Sequence, residues 1–503
     1  MARLLAIDLG GTAVRAAVVD SDGGNVLSSA ARTVEPIIDA PPLGRSYDAA
    51  SLWDLACAAI REAIYRAGEG EPLAAVAATA QRIGCVALDE RERVLYAGPN
   101  MDTRGAATGW AVTEAAGEEL YSRTGRGLAL LYAPARLLWF RQERPEVFER
   151  IRRVLGLGDW LALKLGAEAA TEPGTATDLL ALDVRTGEYW EELWSRCGLD
   201  AAWLPPLRQA GSRLGEVTGE ASERTGIPAG TPVAVCAPDS MAAMLGGGAA
   251  SPGTSLVLAG STLPVLAATA APVEDASGTV WIGRHPVAGR GVVESNAGSA
   301  GYGWAWTAEK LVGALSGLQG GDAYAQAERL AAAAEAGADE ALIFSGGSPV
   351  MNVSRPATFL SHTNALVWPT PVLQPGLGAA EVVRAALESV AHSARANLEQ
   401  VEKVAGGVGQ RLVVAGGMSR SRLFLRIVAA LTDRPVHTVV GDATVLGAAA
   451  CAAVAGGVFS DLDAAAEALC TASVAVMPDA DLVPAYAAAH HRWRALYGRI
   501  ESL

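Results

Sequence analysis

The chain opens on strand-like patterning. Leu4-Leu5-Ala6-Ile7 is an apolar run, Asp8 to Thr12 is a glycine turn, and Val14 to Val19 is a second run. Ser21-Asp22-Gly23-Gly24 then turns the chain into a third, Val26 to Ala31, so three hairpin-connected strands are predicted. A helix follows over 49–67, strands over 74–80 and 85–89, and a helix-rich stretch over 110–165. A comparable unit recurs. Pro232 to Cys236 reads as a strand and Asp239 to Leu245 as the start of a helix; Ser255 to Ala259 runs through the turn Gly260-Ser261-Thr262 into Leu263 to Ala267. Strand, Gly-Thr turn and strand thus occur near residue 10 and again near residue 260, which predicts an internal duplication with a cleft between the halves. Helices over 304–315, 322–336 and 379–404 follow, then a strand over 412–415 entering Gly416-Gly417, and alanine-rich helices.

Composition narrows the chemistry. The 503 residues are 50% hydrophobic, with 40 basic and 54 acidic residues and a net charge of −14. At least two domains are expected at this length, the recurring unit divides them at 1–247 and 248–503, and so acidic a chain is not expected to bind nucleic acid. The three lysines, Lys164, Lys310 and Lys403, follow Leu163, Glu309 and Glu402, so neither a Walker A loop nor a protein-kinase lysine strand is present. The six cysteines have no CxxC spacing and read as buried small hydrophobes in a reducing compartment. Val445 to Phe459 is apolar but short and reads as a buried helix, far from the roughly 20 residues of a membrane span. With a carboxylate interrupting the first apolar run, a cytoplasmic protein without membrane attachment is expected.

Several positions could carry chemistry. In Asp8-Leu9-Gly10-Gly11-Thr12, with Arg15 beyond, the glycines let backbone approach an anion, Thr12 offers a hydroxyl, and Asp8 can hold magnesium-bound water. Asp239 follows an apolar strand at a helix start. It is a helix cap in the plain reading, and in the functional one a base that accepts a proton from a substrate hydroxyl as a phosphoryl group arrives. Gln81-Arg82 and Asp102-Thr103-Arg104 end strands with an amide, a carboxylate and guanidinium groups, a set suited to a polyhydroxylated ligand. The histidines have no metal-ligand spacing, and the tryptophans read as core.

The order of these motifs resembles the FGGY carbohydrate kinases, over nearly the whole chain. The resemblance rests on Asp8 to Arg15, Gln81-Arg82, Asp102-x-Arg104, the segment around Asp239, Gly260-Ser261-Thr262, Gly416-Gly417-Met418-Ser419-Arg420-Ser421, and Arg434-Pro435-Val436 followed by Ala443 to Ala450. It implies an α/β fold of two duplicated actin-like, ribonuclease H-like domains with a cleft between them. It also implies an N-terminal domain that binds sugar and a C-terminal domain that binds nucleotide. Carried over, Asp239 would be the base; Gln81, Arg82 and Asp102 would hold the sugar; and Asp8, Gly10, Gly11, Thr12, Arg15, Gly260, Ser261, Thr262, Gly301, Gly416, Gly417 and Ser421 would serve ATP. Asp8 and Asp239 would hold Mg2+ through water. The implied reaction is transfer of the γ-phosphoryl group of ATP to a hydroxyl of a small open-chain sugar or keto-polyol, with a homodimer admitted as the assembly.

Departures bear on the acceptor. Asn100 stands where many relatives carry tryptophan, Ile83 replaces the glutamate of the glycerol kinase pattern, Met418 replaces a third glycine, and Gly346-Gly347-Ser348-Pro349 departs from the family's Gly-Glu-Arg-x-Pro stretch. Residues 100–104 and 128–139 look most like the autoinducer-2 kinase branch, whereas 171–182 and Gln81-x-x-Gly84 are compatible with pentulose kinases. A pentulose such as xylulose is the expected acceptor and dihydroxypentanedione the alternative. A non-catalytic nucleotide-dependent sugar-binding protein is the reading from another class.

Overall fold

The computed structural model describes residues 2–40, 42–68, 70–345, 349–353, 364–369, 377–407, 409, 411–470 and 475–500. Two six-stranded sheets form its frame. In the first, the strands run in the order Arg213–Glu216, Pro232–Ala234, Leu73–Ala80, Arg3–Leu9, Ala13–Asp20, Val26–Thr33. In the second they run Trp281–Arg284, Gly291–Asn296, Pro264–Thr269, Thr254–Leu258, Arg411–Ala415, Val436–Thr438. Each sheet has three successive antiparallel strands and, beside the first of them, two parallel neighbours. The recurrence of strand, Gly-Thr turn and strand in the sequence is therefore a duplication of sheet topology.

Helices cover both faces of the central strands, which explains their unbroken apolar runs: Leu4, Leu5, Ala6 and Ile7 are all fully buried. The Ala49–Ala67 helix packs on one face of the first sheet, with Leu52, Trp53, Ile60 and Ala63 in its core. The other face is covered by the Ala443–Ala455 helix of the second half, which packs on Arg3–Leu9 and Leu73–Ala80. That helix crosses the Asp239–Gly246 helix so closely that a Cβ on Gly447 would lie 1.7 Å from the Ala242 carbonyl oxygen. Small residues there serve contact between the halves, and the alanine-rich composition follows from it. In the second half the Ala379–Val404 and Arg422–Thr432 helices pack with Val257, Val265 and Val293.

Most predicted elements match, and the differences are local. The 110–165 stretch contains the strand Arg153–Gly156, which joins Cys85–Leu88 and Val94–Gly98 in a three-stranded sheet. The 304–315 helix is a helix over Ala300–Trp306 that continues as a π-helical segment over Thr307–Gly313. The strands Trp281–Arg284 and Gly291–Asn296 lie in a part of the chain to which the sequence pattern assigns no element. Five cysteines are buried, and Cys470 is partly so. Among the described residues no helix is long and apolar enough to cross a membrane.

Candidate active site

Parallel strands deliver three charged residues to one end of the first sheet. Arg3–Leu9 and Leu73–Ala80 are paired with Asp8 opposite Thr79 and Leu9 opposite Ala80, so Asp8 and the following Arg82 emerge together. Pro232–Ala234 is parallel to Leu73–Ala80 on its far side, and the chain reaches Asp239 four residues after Val235. In open α/β sheets the crevice beyond the carboxyl ends of parallel strands is the usual ligand site.

Asp239 is the first residue of its helix, with Pro238 in the capping position. Its Oδ1 accepts from the amide of the adjacent Ser240 at 2.6 Å and caps no later amide, so the plain cap reading is weak. Burial pushes its pKa up to about 6, with Asp178 and Glu294 adding to the rise and Arg82 opposing it. A carboxyl in that range is suited to accept a proton near neutral pH. Asp8 is pushed further, to about 8, first by burial and then by repulsion from Asp239 and Asp442. Its Oδ1 is buried without a hydrogen-bond partner. Two repelling, desolvated carboxylates with a free oxygen are the donors a hydrated magnesium ion would satisfy, with nucleotide oxygens completing its shell. No group of three or more potential ligands for an all-protein site occurs among the described residues.

Arg82 is held from both halves. Its Nε and Nη2 donate to Asp178 at 2.8 and 2.9 Å, and its Nη1 donates to Glu294 of the second half. Arg126 Nη2 donates to Asp178 at 3.1 Å, and the ring of Trp281 lies 5.2 Å from the Arg82 guanidinium carbon and 5.0 Å from that of Arg126. A small void of about 20 Å³, room for about one water, is bordered by Gln81, Arg82, Asp178 and Pro238. Ile83 borders both this void and a cavity of about 290 Å³ whose other walls include Leu128, Leu131, Tyr132, Trp281 and Met351.

Two of the sugar-side candidates are engaged by protein groups. Gln81 donates from Nε2 to the Gly10 carbonyl at 3.2 Å and to Tyr47 Oη at 2.9 Å, and its Oε1 accepts from the Asn100 amide at 3.0 Å. It thereby ties the first glycine turn to the 100–104 loop. Asp102 is fully buried: Oδ1 accepts from the amides of Arg45 and Arg104, and Oδ2 from Arg104 Nε and Tyr96 Oη. The structure therefore places Arg82 and Gln81 at the small void, with Asp239 next to Pro238 at its edge, and sets Asp102 away from it in a buried cluster with Arg104 and Tyr96. Arg126, Asp178, Trp281 and Glu294 escaped the sequence reading. Glu294 did leave a signal, a lone carboxylate in the apolar run Gly291-Val292-Val293-Glu294.

The nucleotide-side candidates assemble around backbone. Gly10 N donates to the Ala13 carbonyl at 2.9 Å, closing the first turn, where Gly11 is half-buried and Thr12 exposed. Arg15 pairs with Asp442, the residue capping the Ala443–Ala455 helix, and lies 4.0 Å from Asp8. In the second turn Ser261 and Thr262 are exposed beyond Gly260, whose carbonyl oxygen would sit 1.7 Å from a Cβ on Gly301. Gly416 has φ +92°, and the Met418 amide donates to the Ala259 carbonyl at 3.0 Å, bringing Gly416-Gly417 against the base of that turn. Ser421 instead caps the Arg422–Thr432 helix and donates to Glu328 at 2.7 Å. Residues 346–348 of the stretch ending at Pro349 lie outside the described residues.

Comparison with known proteins accords with this arrangement. Residues 3–246 match the model of the N-terminal domain of the FGGY family of carbohydrate kinases, and residues 249–456 that of the C-terminal domain. An autoinducer-2 kinase from Salmonella paratyphi B is 32% identical over 98% of this chain and 94% of its own. A xylulose kinase from Rhodospirillum rubrum superposes with a TM-score of 0.83 at 26% identity, covering 99% of both chains. A Plasmodium falciparum glycerol kinase with ADP superposes with a TM-score of 0.83 at 18% identity, over 99% of this chain and 98% of that one, and so shares the fold.

Proposed function

The chain belongs to the FGGY family of carbohydrate kinases and is an ATP-dependent sugar kinase; from that premise we propose that its acceptor is a small open-chain hydroxyketone with an apolar end, such as dihydroxypentanedione. The observation that carries this reading is the cavity of about 290 Å³ beside Arg82, walled by Ile83, Leu128, Leu131, Tyr132, Trp281 and Met351. A terminal methyl group gains by burial there. A hydroxymethyl group would lose water where the polar side chains are Thr103 and Asn352 beside the rings of Tyr132 and Trp281, at about 1–3 kcal/mol when left unpaired. The autoinducer-2 kinase relatives, aligned over 98% of the chain, support the same choice. Xylulose, the expectation from the sequence and the acceptor named for the Rhodospirillum structure, is the second reading.

In this reading the hydroxyl to be phosphorylated meets Asp239, which takes its proton as the γ-phosphoryl group arrives in line. Arg82 orients the acceptor's oxygens. Gln81 and Asp102 support the walls, Asp102 by holding Arg104 and the 100–104 loop. The glycine turns hold the phosphates of ATP, and Gly416 and Gly417 flank its adenosine. Asp8 and Asp239 would hold magnesium, which would neutralise phosphate charge when bound. Closure of the halves around the acceptor would keep water from the phosphoryl group.

The test is ADP release with ATP and magnesium across ketoses, polyols and dihydroxypentanedione. The expected result is a kcat/KM for dihydroxypentanedione at least about tenfold above that for xylulose, the equivalent of 1.4 kcal/mol. A preference for xylulose would restore the pentulose reading, and ADP release indifferent to every acceptor would remove the acceptor assignment altogether.

A further inference from the structure

Glu294 belongs to the second half by sequence and by sheet, yet its carboxylate ends in the site built by the first. It sits on the Gly291–Asn296 strand directly across from Trp281, so both side chains project from the same face toward Arg82 and Arg126. The side chain is 2% exposed. Its Oε2 accepts from Arg82 Nη1, and its Oε1 is buried with no hydrogen-bond partner. Asp178, which approaches Arg82 from the first half, differs: each of its oxygens accepts from a guanidinium nitrogen. Buried carboxylate oxygens are almost always paired, and one that is not calls for an explanation.

The Arg82–Glu294 pair also spans the two halves. Arg82 is held on the first half by Asp178 through Nε and Nη2, and its planar guanidinium thereby presents Nη1 to a carboxylate that arrives with the second half. We propose that Glu294 is a positioning residue of the acceptor site supplied from the second half: it neutralises Arg82 at Nη1 through one oxygen, keeps the other for a hydroxyl of the acceptor, and so completes the site only when the halves are together. Acceptor binding and closure are then coupled through a single side chain, because the acceptor hydroxyl satisfies an oxygen that closure leaves unpaired.

The inference rests on the acceptor site assigned above, and the experiment separates the two. Glu294→Gln keeps the shape and an acceptor for Arg82 but removes the charge. Steady-state kinetics with the preferred acceptor should show its KM rising at least about tenfold, with the KM for ATP changing less than about twofold. A second readout is one that a merely structural residue would not move: kcat at saturating acceptor should fall less than about threefold, so that the loss is confined to the acceptor KM. Glu294→Asp, one methylene shorter, should also raise the acceptor KM, and it carries the test if the glutamine variant does not fold. A folded Glu294→Gln or Glu294→Asp enzyme with unchanged acceptor KM would overturn the proposal. Failure of the site assignment has a different signature, normal turnover in Asp239→Asn with Glu294 intact.

Discussion

The two sides of the cleft are built from opposite materials. On the side proposed for the acceptor are buried charges: Arg82 and Arg126 against Asp178 and Glu294, with Asp8 and Asp239 beside them. On the side proposed for the nucleotide are glycine and backbone, with Gly301 packed on Gly260 and Gly416 on Ala259. In the proposed reading the difference follows from the ligands. A small acceptor offers few atoms and must be oriented by fixed, desolvated groups, whereas polyphosphate is met by many amides wherever backbone can approach.

The largest effect that would break this contrast is expected from Asp239→Asn. Acceptor-dependent turnover should fall by about 10²–10⁴-fold while ATP affinity and melting temperature stay near those of the parent. Near-normal turnover would return Asp239 to the role of a helix-start residue. Gly301→Ala should come next and act on the other side alone. A Cβ there meets the Gly260 carbonyl oxygen at 1.7 Å, so the second turn must shift. Overpacking of about 1–3 kcal/mol predicts an ATP KM higher by about tenfold, with the acceptor KM unchanged. An equal loss on both sides would show that the turns and the acceptor site are not separable.

As the proposed base, Asp239 should set the pH dependence. A base with a pKa near 6 must be ionised, so kcat/KM should hold at neutral pH and fall as pH drops through about 6. A limb near 4 would mean that the acceptor site is wetter than the fold implies. The smallest effect concerns stability. Asp8 binds its proton more tightly in the folded chain, near 8, than unfolded, near 3.8, so it weakens the fold progressively as pH rises from about 4 to about 8. Without magnesium or nucleotide, Asp8→Asn should therefore melt on the order of 2 °C higher at pH 8 and show little difference at pH 4. Equal melting at both would mean that Asp8 is not under charge stress.

Where each side could be read in the sequence follows from the same contrast. The glycine turns and Asp239 sit at strand ends inside short, ordered motifs, and local pattern is enough to find them. The strands over 281–284 and 291–296 are not bounded by such motifs. With them went Trp281 and Glu294, whose partners Arg82 and Arg126 lie more than 150 residues away. Gln81 and Asp102 show the converse. Their positions were legible, but residue type alone does not reveal that Tyr47, Asn100, Tyr96 and Arg104 already occupy their hydrogen-bonding groups.

By itself the sequence determined the duplicated α/β frame, the two glycine turns, the family and a candidate carboxylate at a helix start, because strand periodicity, turn chemistry and motif order are local properties of the chain. Tertiary structure alone decided which charges face each other across the halves and where the apolar cavity lies. Desolvation and ion pairing depend on groups that only folding brings within a few ångströms: burial and neighbouring carboxylates raise Asp8 and Asp239, and Glu294 meets Arg82 only across the two halves.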